Sequence, residues 1–221
     1  MDITYNMIKE NEEVKAYIQQ ADANLEAMGY SEHGFAHVGS VAKNAARILR
    51  EFGYDEKDIE LAKVAGYMHD IGNVVNRTDH AHNGSIMAFN ILRSLEINPT
   101  DISKICSAIG NHDERTAYPV NPIAAAIQIA DKCDVRRNRV RKVMLKQSSA
   151  IHYNVNYSVA ESKIDIEPEK RVITLSLTID TEICSVMTYF EIFLERMKLC
   201  KLAAQKLNGE FILIINDQIH G

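Results

Sequence analysis

The sequence predicts a mainly α protein, a helical bundle carrying a small C-terminal α+β unit. Three observations lead there. Apolar residues recur at helical spacing, with stop signals where helices should end, from about residue 6 to 150. Beyond residue 155 the spacing changes to strand-like alternation. And 46% of the 221 residues are hydrophobic, enough to fill a substantial core.

The elements follow in order. A first helix is expected over about 8–28, stopped by Gly29, and a second over 34–52, with Val41, Ala45, Ile48 and Phe52 on one face and Gly53 behind it. Asp55 is a natural N-cap for the third, which should run to about Ile71 before Gly72. Three more helices fit 80–96, 100–110 and 122–145, with Pro99 and Pro122 near helix starts, where a missing N–H costs nothing. Ser162–Glu167 and Arg171–Asp180 alternate around the turn Glu167-Pro168-Glu169-Lys170 and read as a hairpin. An amphipathic helix over 182–207, then Gly209 and the apolar run Phe211–Ile215, complete a ββαβ unit. The expected division is a helical domain over 1–155 and a small subdomain over 156–221, with no internal repeat.

Charge narrows the partners. The formal net charge is −5, without the basic excess that contact with a phosphate backbone usually requires, so a nucleic-acid partner is not expected. A local basic run, Arg136-Arg137-Asn138-Arg139-Val140-Arg141-Lys142, reads equally well as a solvated face or as a site for one anionic ligand. The start M-D-I-T-Y-N-M-I-K-E lacks a basic stretch followed by an apolar one, and no uninterrupted apolar run approaches membrane-spanning length. A soluble, cytoplasmic protein without a membrane partner is expected. Cys106, Cys133, Cys184 and Cys200 form no C-x-x-C pair and lie in apolar segments, as core thiols do in a reducing compartment.

The histidines carry more through placement than number. In G-Y-M-H-D-I-G-N, residues 66–73, His69 and Asp70 close an apolar helix; alone such a pair is more often structural than catalytic. His37 extends the Val41, Ala45, Ile48 face by one turn, where a lone histidine is usually a satisfied core residue. His33 lies one turn earlier, but Gly34 stands where H-E-x-x-H would need a glutamate. Asp131, in A-A-A-I-Q-I-A-D-K, sits on the apolar face of Ile127 and is costly to bury alone. It requires a buried Lys or Arg, or a metal. His80 and His82 open one helix, with His80 ranked ahead of His82, and His112-Asp113 closes another. Helical bundles build metal sites from side chains of this kind on facing helices. Imidazole with carboxylate and no thiolate suits iron, manganese or zinc.

With His37 in H-V-G-S-V-A, His69-Asp70 in M-H-D-I-G and Asp131 in I-A-D-K-C-D, residues 30–145 resemble the HD-domain superfamily of metal-dependent phosphohydrolases. Its signature is a histidine, an adjacent His-Asp pair and a later aspartate. Additional histidines between the pair and the last aspartate, as in HD-GYP phosphodiesterases and diadenosine-tetraphosphate hydrolase-type proteins, are matched by His80, four residues before Gly84-Ser85, and by His112 in His112-Asp113-Glu114-Arg115. Asn73 departs from the lysine common in H-D-I-G-K, and Ala117-Tyr118-Pro119 replaces G-Y-P, which argues against cyclic-di-GMP as the substrate.

The resemblance implies an HD-domain helical bundle whose six ligands, His37, His69, Asp70, His80, His112 and Asp131, hold two divalent ions bridged by Asp70. Iron or manganese is expected ahead of zinc or magnesium. Paired ions lower the pKa of a bridging water and clamp the oxygens of phosphoryl transfer. The implied activity is hydrolysis of a small phosphorylated substrate, a nucleotide foremost, by hydroxide attack on phosphorus. Asp70 is the central catalytic ligand; Lys132 and Arg115 are the candidate stabilising cations, and Arg136 and Arg137 the candidate phosphate contacts. A non-catalytic HD module that binds a nucleotide or a partner for signalling is the alternative, and oxygen chemistry at a di-iron centre is a weaker third. The C-terminal unit could pair two copies as a homodimer, cover the site or bind a ligand.

Overall fold

The computed structural model describes residues 2–141 and 151–220, without side chains for 151–153. Lys142 and the 142–145 end of the expected sixth helix lie outside the described residues. The chain folds as α1 (Tyr5–Lys9), α2 (Glu12–Ala27), α3 (Phe35–Glu51), α4 (Glu56–Met68), α5 (His80–Ser94), α6 (Pro99–Gly110), α7 (Pro122–Lys132), α8 (Ile151–Ser158), β1 (Val159–Glu167), β2 (Val172–Ile179), α9 (Val186–Lys206), β3 (Glu210–Ile215) and β4 (Gln218–Ile219). The architecture is mainly α with one small sheet. No helix among the described residues is long and apolar enough to cross a membrane.

Most boundaries follow the expected chemistry. Asp55 caps α4 by accepting from the Asp58 N–H, Asn121 caps α7, and Pro99 and Pro122 occupy first turns. Two boundaries differ from the sequence reading. The first helix is divided, because Asn11 takes an extended conformation and its side chain accepts from the Val14 N–H, starting α2 afresh. The helix expected over 122–145 stops at Lys132. Beyond it Arg136 is extended, and Asp134 turns inward to a buried imidazole that a continued helix could not have supplied. α8 and β4 had no clear signal.

Helices α3, α4 and α7 pack around a core that is continuous with the C-terminal elements, running from Ile3 to Ile215. Gly66 lets α4 press on α3: a Cβ there would lie 3.0 Å from the Ala42 Cα. The sheet order is β1-β2-β3-β4, with β1/β2 and β3/β4 antiparallel and β2/β3 parallel. The parallel pair, in register from Val172 opposite Glu210 to Leu177 opposite Ile215, needs a crossover, which α9 provides. α9 packs on both β3 and α7. This brings the C-terminal region against the helix that carries Asp131. All four cysteines are free thiols, three of them buried.

Candidate metal centre

The structure brings His37, His69, Asp70, His80, His112 and Asp131 to one point. Every imidazole in the group is at most 2% exposed, and Asp70 is 4% exposed. His37 projects from the first turn of α3, and His69-Asp70 from the end of α4 as it tightens into a 3-10 turn over Ile71–Val74. His80 opens α5, His112 follows α6, and Asp131 lies in the last turn of α7. Five helices therefore contribute side chains.

The ring orientations share one logic. His69 Nδ1 lies 2.8 Å from Gly66 O, His80 Nδ1 3.0 Å from Arg77 O and His112 Nδ1 2.7 Å from Ile109 O. His37 Nδ1 lies 2.7 Å from the Asp134 carboxylate. Each of those partners only accepts, so each Nδ1 donates, and in the neutral ring the lone pair falls on Nε2. All four Nε2 atoms surround Asp70. Its Oδ2 is 3.6 Å from His37 and 3.2 Å from His69; its Oδ1 is 3.5 Å from His80 and 3.6 Å from His112. Asp131 Oδ1 faces the same centre, 3.3 Å from His37 Nε2 and 3.8 Å from His69 Nε2.

The donor set fits metal. His37 Nε2 and His69 Nε2 are buried without a hydrogen-bond partner among the described residues, a cost that a bound cation would remove. Three overlapping groups, His37-His69-Asp70, His69-His112-Asp131 and Asp70-His80-His112, keep their ligand atoms within 4.8 Å of one another. Asp70 belongs to the first and the third, one carboxylate oxygen facing each histidine pair, as a bridging ligand would.

Electrostatics prepares these groups for a cation. Burial opposes charge on Asp70, but the imidazoles of His69 and His112 outweigh it and hold the carboxyl well below the usual carboxylate range. Burial opposes charge on Asp131 too, and Lys132 and His37 more than compensate. Burial and the neighbouring His112 push the His80 imidazole down to about 3, which leaves its lone pair available near neutral pH.

The remaining sequence candidates divide. Asp131 has the buried lysine that was one of the two alternatives for it: Lys132 Nζ is 2.7 Å from its Oδ2, while Oδ1 faces the histidines. Lys132 is 7% exposed, with its ammonium between Asp131 and Glu114. Arg115 stands at the cavity wall with Nη2 3.0 Å from Asp113. Arg136 does not line the cavity. Its guanidinium grips Asp134 through Nε and Nη2, at 2.6 and 3.0 Å, from the side opposite the site. Arg137 is also elsewhere, donating to the carbonyls of Tyr157 and Ser158. The cations that do line the cavity from outside the expected set are Arg77, Arg139 and Arg196. His82 faces a separate shallow pocket, and His33 lines the main cavity with its ring edge on His37.

Several residues of the site were given no role by the sequence, Asn73 among them although it stood out as the departure from H-D-I-G-K. Asp134 orients His37, and its signal was the second aspartate of I-A-D-K-C-D, three positions after Asp131. Asn73 donates from Nδ2 to the Asp70 carbonyl and to Asp70 Oδ1, at 2.9 and 3.0 Å, steering the carboxylate. Glu114 and Arg196 had no local signal, since only the approach of α9 brings them together.

The cavity above these ligands measures about 760 Å³. Its floor is the His/Asp cluster, and its mouth carries Met28, Tyr30 and Val140. The loop bearing Tyr30 is held in place where Glu32 N–H donates to Arg139 O and Arg139 Nε donates back to Glu32 O.

The HD domain family model matches residues 34–136. An uncharacterized protein of Methanocaldococcus jannaschii, MJ1020, is 24% identical over 190 residues, spanning 76% of this chain and 73% of its own length. Among solved structures, that of a predicted HD superfamily hydrolase from an uncultured Thermotogales bacterium is 22% identical, covers 61% of this chain and 71% of its own, and superposes with a TM-score of 0.45. All six converging residues fall inside the matched segment, and the chain carries an HD domain at residues 34–136.

Proposed function

We propose that the protein is a metal-dependent phosphohydrolase acting on a small phosphorylated substrate, a nucleotide foremost. The observation that carries this reading is the convergence of four Nε2 atoms and two carboxylates, each histidine fixed through its other ring nitrogen, at the floor of a cavity large enough for a nucleotide. His37, His69, Asp70 and Asp131 would hold one divalent ion, and Asp70, His80 and His112 a second; iron or manganese suits a thiolate-free nitrogen and oxygen set. When bound, such ions supply a water of lowered pKa and neutralise charge on phosphate oxygens.

The chain's own residues position the rest. Asn73 donates to Asp70 Oδ1 and so limits the freedom of the carboxylate that both ions would share. Arg77 is the best-placed phosphate contact. Its guanidinium lines the cavity, lies 5.4 Å from the Tyr30 ring centroid, and is 3.4 Å from both Asn73 Oδ1 and His80 Nε2. Arg115, Lys132, Arg139 and Arg196 each lie within 3.7 Å of a carboxylate oxygen, whereas among the described residues none of Arg77's hydrogen-bond partners is a carboxylate. Its planar fork is therefore available to a phosphate.

The test is metal analysis of the purified protein, followed by phosphate release from a nucleotide panel with Mn²⁺ or Fe²⁺ supplied. Protein that retains no metal, or that releases phosphate from no substrate, would sink the proposal. Arg77→Met should lower kcat/KM about 10- to 100-fold, with the loss mainly in KM, as expected for removal of a charge-assisted contact. Metal content measured on the same sample should be unchanged.

A further inference from the structure

The HD domain ends at residue 136, yet α9 reaches its metal centre. Arg196 projects from the middle of α9, and its guanidinium carbon sits 4.5 Å from the ring centroid of Phe193, which is fully buried. Its Nε is 3.1 Å from Glu114 Oε1, and the other oxygen of Glu114 is 2.7 Å from Lys132 Nζ. Lys132 in turn is 2.7 Å from Asp131 Oδ2. The result is an unbroken row of alternating charge, Arg196, Glu114, Lys132 and Asp131. It ends on the carboxylate whose remaining oxygen faces His37 and His69.

Alternation has a consequence for orientation. Lys132 is shared by two carboxylates, and without Arg196 it would be the only cation of the row beside the partly buried Glu114. The ammonium would then be drawn toward Glu114 and loosen its hold on Asp131. With Arg196 on Glu114 each carboxylate has its own cation, so Lys132 can keep Asp131 turned with Oδ2 away from the site and Oδ1 toward it. Outer partners that orient ligands in this way commonly change metal affinity by about 10- to 100-fold when they are removed.

We propose that Arg196 is a positioning residue for the metal centre, acting through Glu114 and Lys132 on Asp131, so that the HD domain of this chain is completed by its C-terminal helix. The proposal rests on the metal-centre reading above. It also assigns work to the C-terminal unit: α9 forms part of the site and does more than flank it.

The experiment is a Mn²⁺ titration of the full chain, followed by the free-ion EPR signal, and a Zn²⁺ titration followed by calorimetry, beside the melting temperature of each metal-free variant. Arg196→Met keeps an unbranched stem against Phe193 and removes the charge; it should weaken Mn²⁺ binding about tenfold. Arg196→Lys should recover most of that loss. Glu114→Gln placed on Arg196→Met should weaken binding less than the two single losses combined, because both act through one row. A merely structural arginine would lower the melting temperature while leaving the metal affinity in place. Binding by Arg196→Met within twofold of wild type, or fully additive losses in the double variant, overturns the proposal. Wild-type protein that binds neither ion overturns the metal-centre reading itself, and this inference with it, which is a different result from an unaffected variant.

Discussion

Asp70→Asn is expected to abolish phosphate release, by at least about 10³-fold in kcat/KM, while the protein stays folded. Asp70 is the residue on which the site turns. One oxygen lies 3.2 Å from His69 and the other 3.5 Å from His80, so its carboxylate is common to the two ligand groups that share it. An amide of the same shape keeps one oxygen and loses the negative charge that both ions would share. Bound metal stabilises the folded state by roughly 2.7 kcal/mol at one hundred times its dissociation constant. Mn²⁺ should therefore raise the melting temperature of wild-type protein and barely move that of Asp70→Asn. A variant that retained activity, or the full thermal shift, would show that the chemistry lies elsewhere.

Gly72→Ala is expected to destabilise the protein by about 3 kcal/mol, or roughly 6–12 °C in melting temperature, and to impair metal binding as well. The reason is a contact of backbone on backbone. A Cβ on Gly72 would lie 2.0 Å from His80 O and 2.4 Å from Gly84 N, and neither is the tip of a flexible side chain. Gly84 faces back, so that a Cβ there would lie 3.2 Å from Gly72 N and from His69 O. This pair of glycines lets the 3-10 turn after Asp70 touch the first turns of α5, which sets His80 beside Asp70. Pushing the two apart by even the width of a methyl group separates the two halves of the site. Thermal unfolding and metal titration of the same variant check both effects; a change below about 1 kcal/mol would show that the turn can give way.

The six converging residues were legible in the sequence because few side-chain types suit a metal site, and because helical periodicity marks an inward face. His37 and Asp131 stood on apolar stripes where a polar group needs a partner, and the adjacent His69-Asp70 gained meaning from them. The helices were legible for a related reason: start signals such as Asp55, Pro99 and Pro122 act through neighbours within three or four residues. Strands β1 to β3 were found by alternation, but their parallel pairing across α9 was not, since pairing is a long-range contact.

The cations expected to contact phosphate show where local reading stops. Arg136 and Arg137 are basic and near the site in sequence, but an arginine goes to the nearest acceptor in space, and here those acceptors are Asp134 and two backbone carbonyls. Arg77 faces the cavity because a turn after Val74 aims it there, and Arg196 because α9 crosses onto α7.

By itself, then, the sequence determined the helices that carry the site and picked out the six residues that converge there, because each of those depends on residue type and short-range spacing. Only the tertiary structure decided which ring nitrogen points inward, that Asp134 and Asn73 hold His37 and Asp70, and that Glu114 and Arg196 meet at the centre from distant parts of the chain. Hydrogen bonds and ion pairs are set by distances of about 3 Å, and between residues 82 positions apart only the packed fold establishes such a distance.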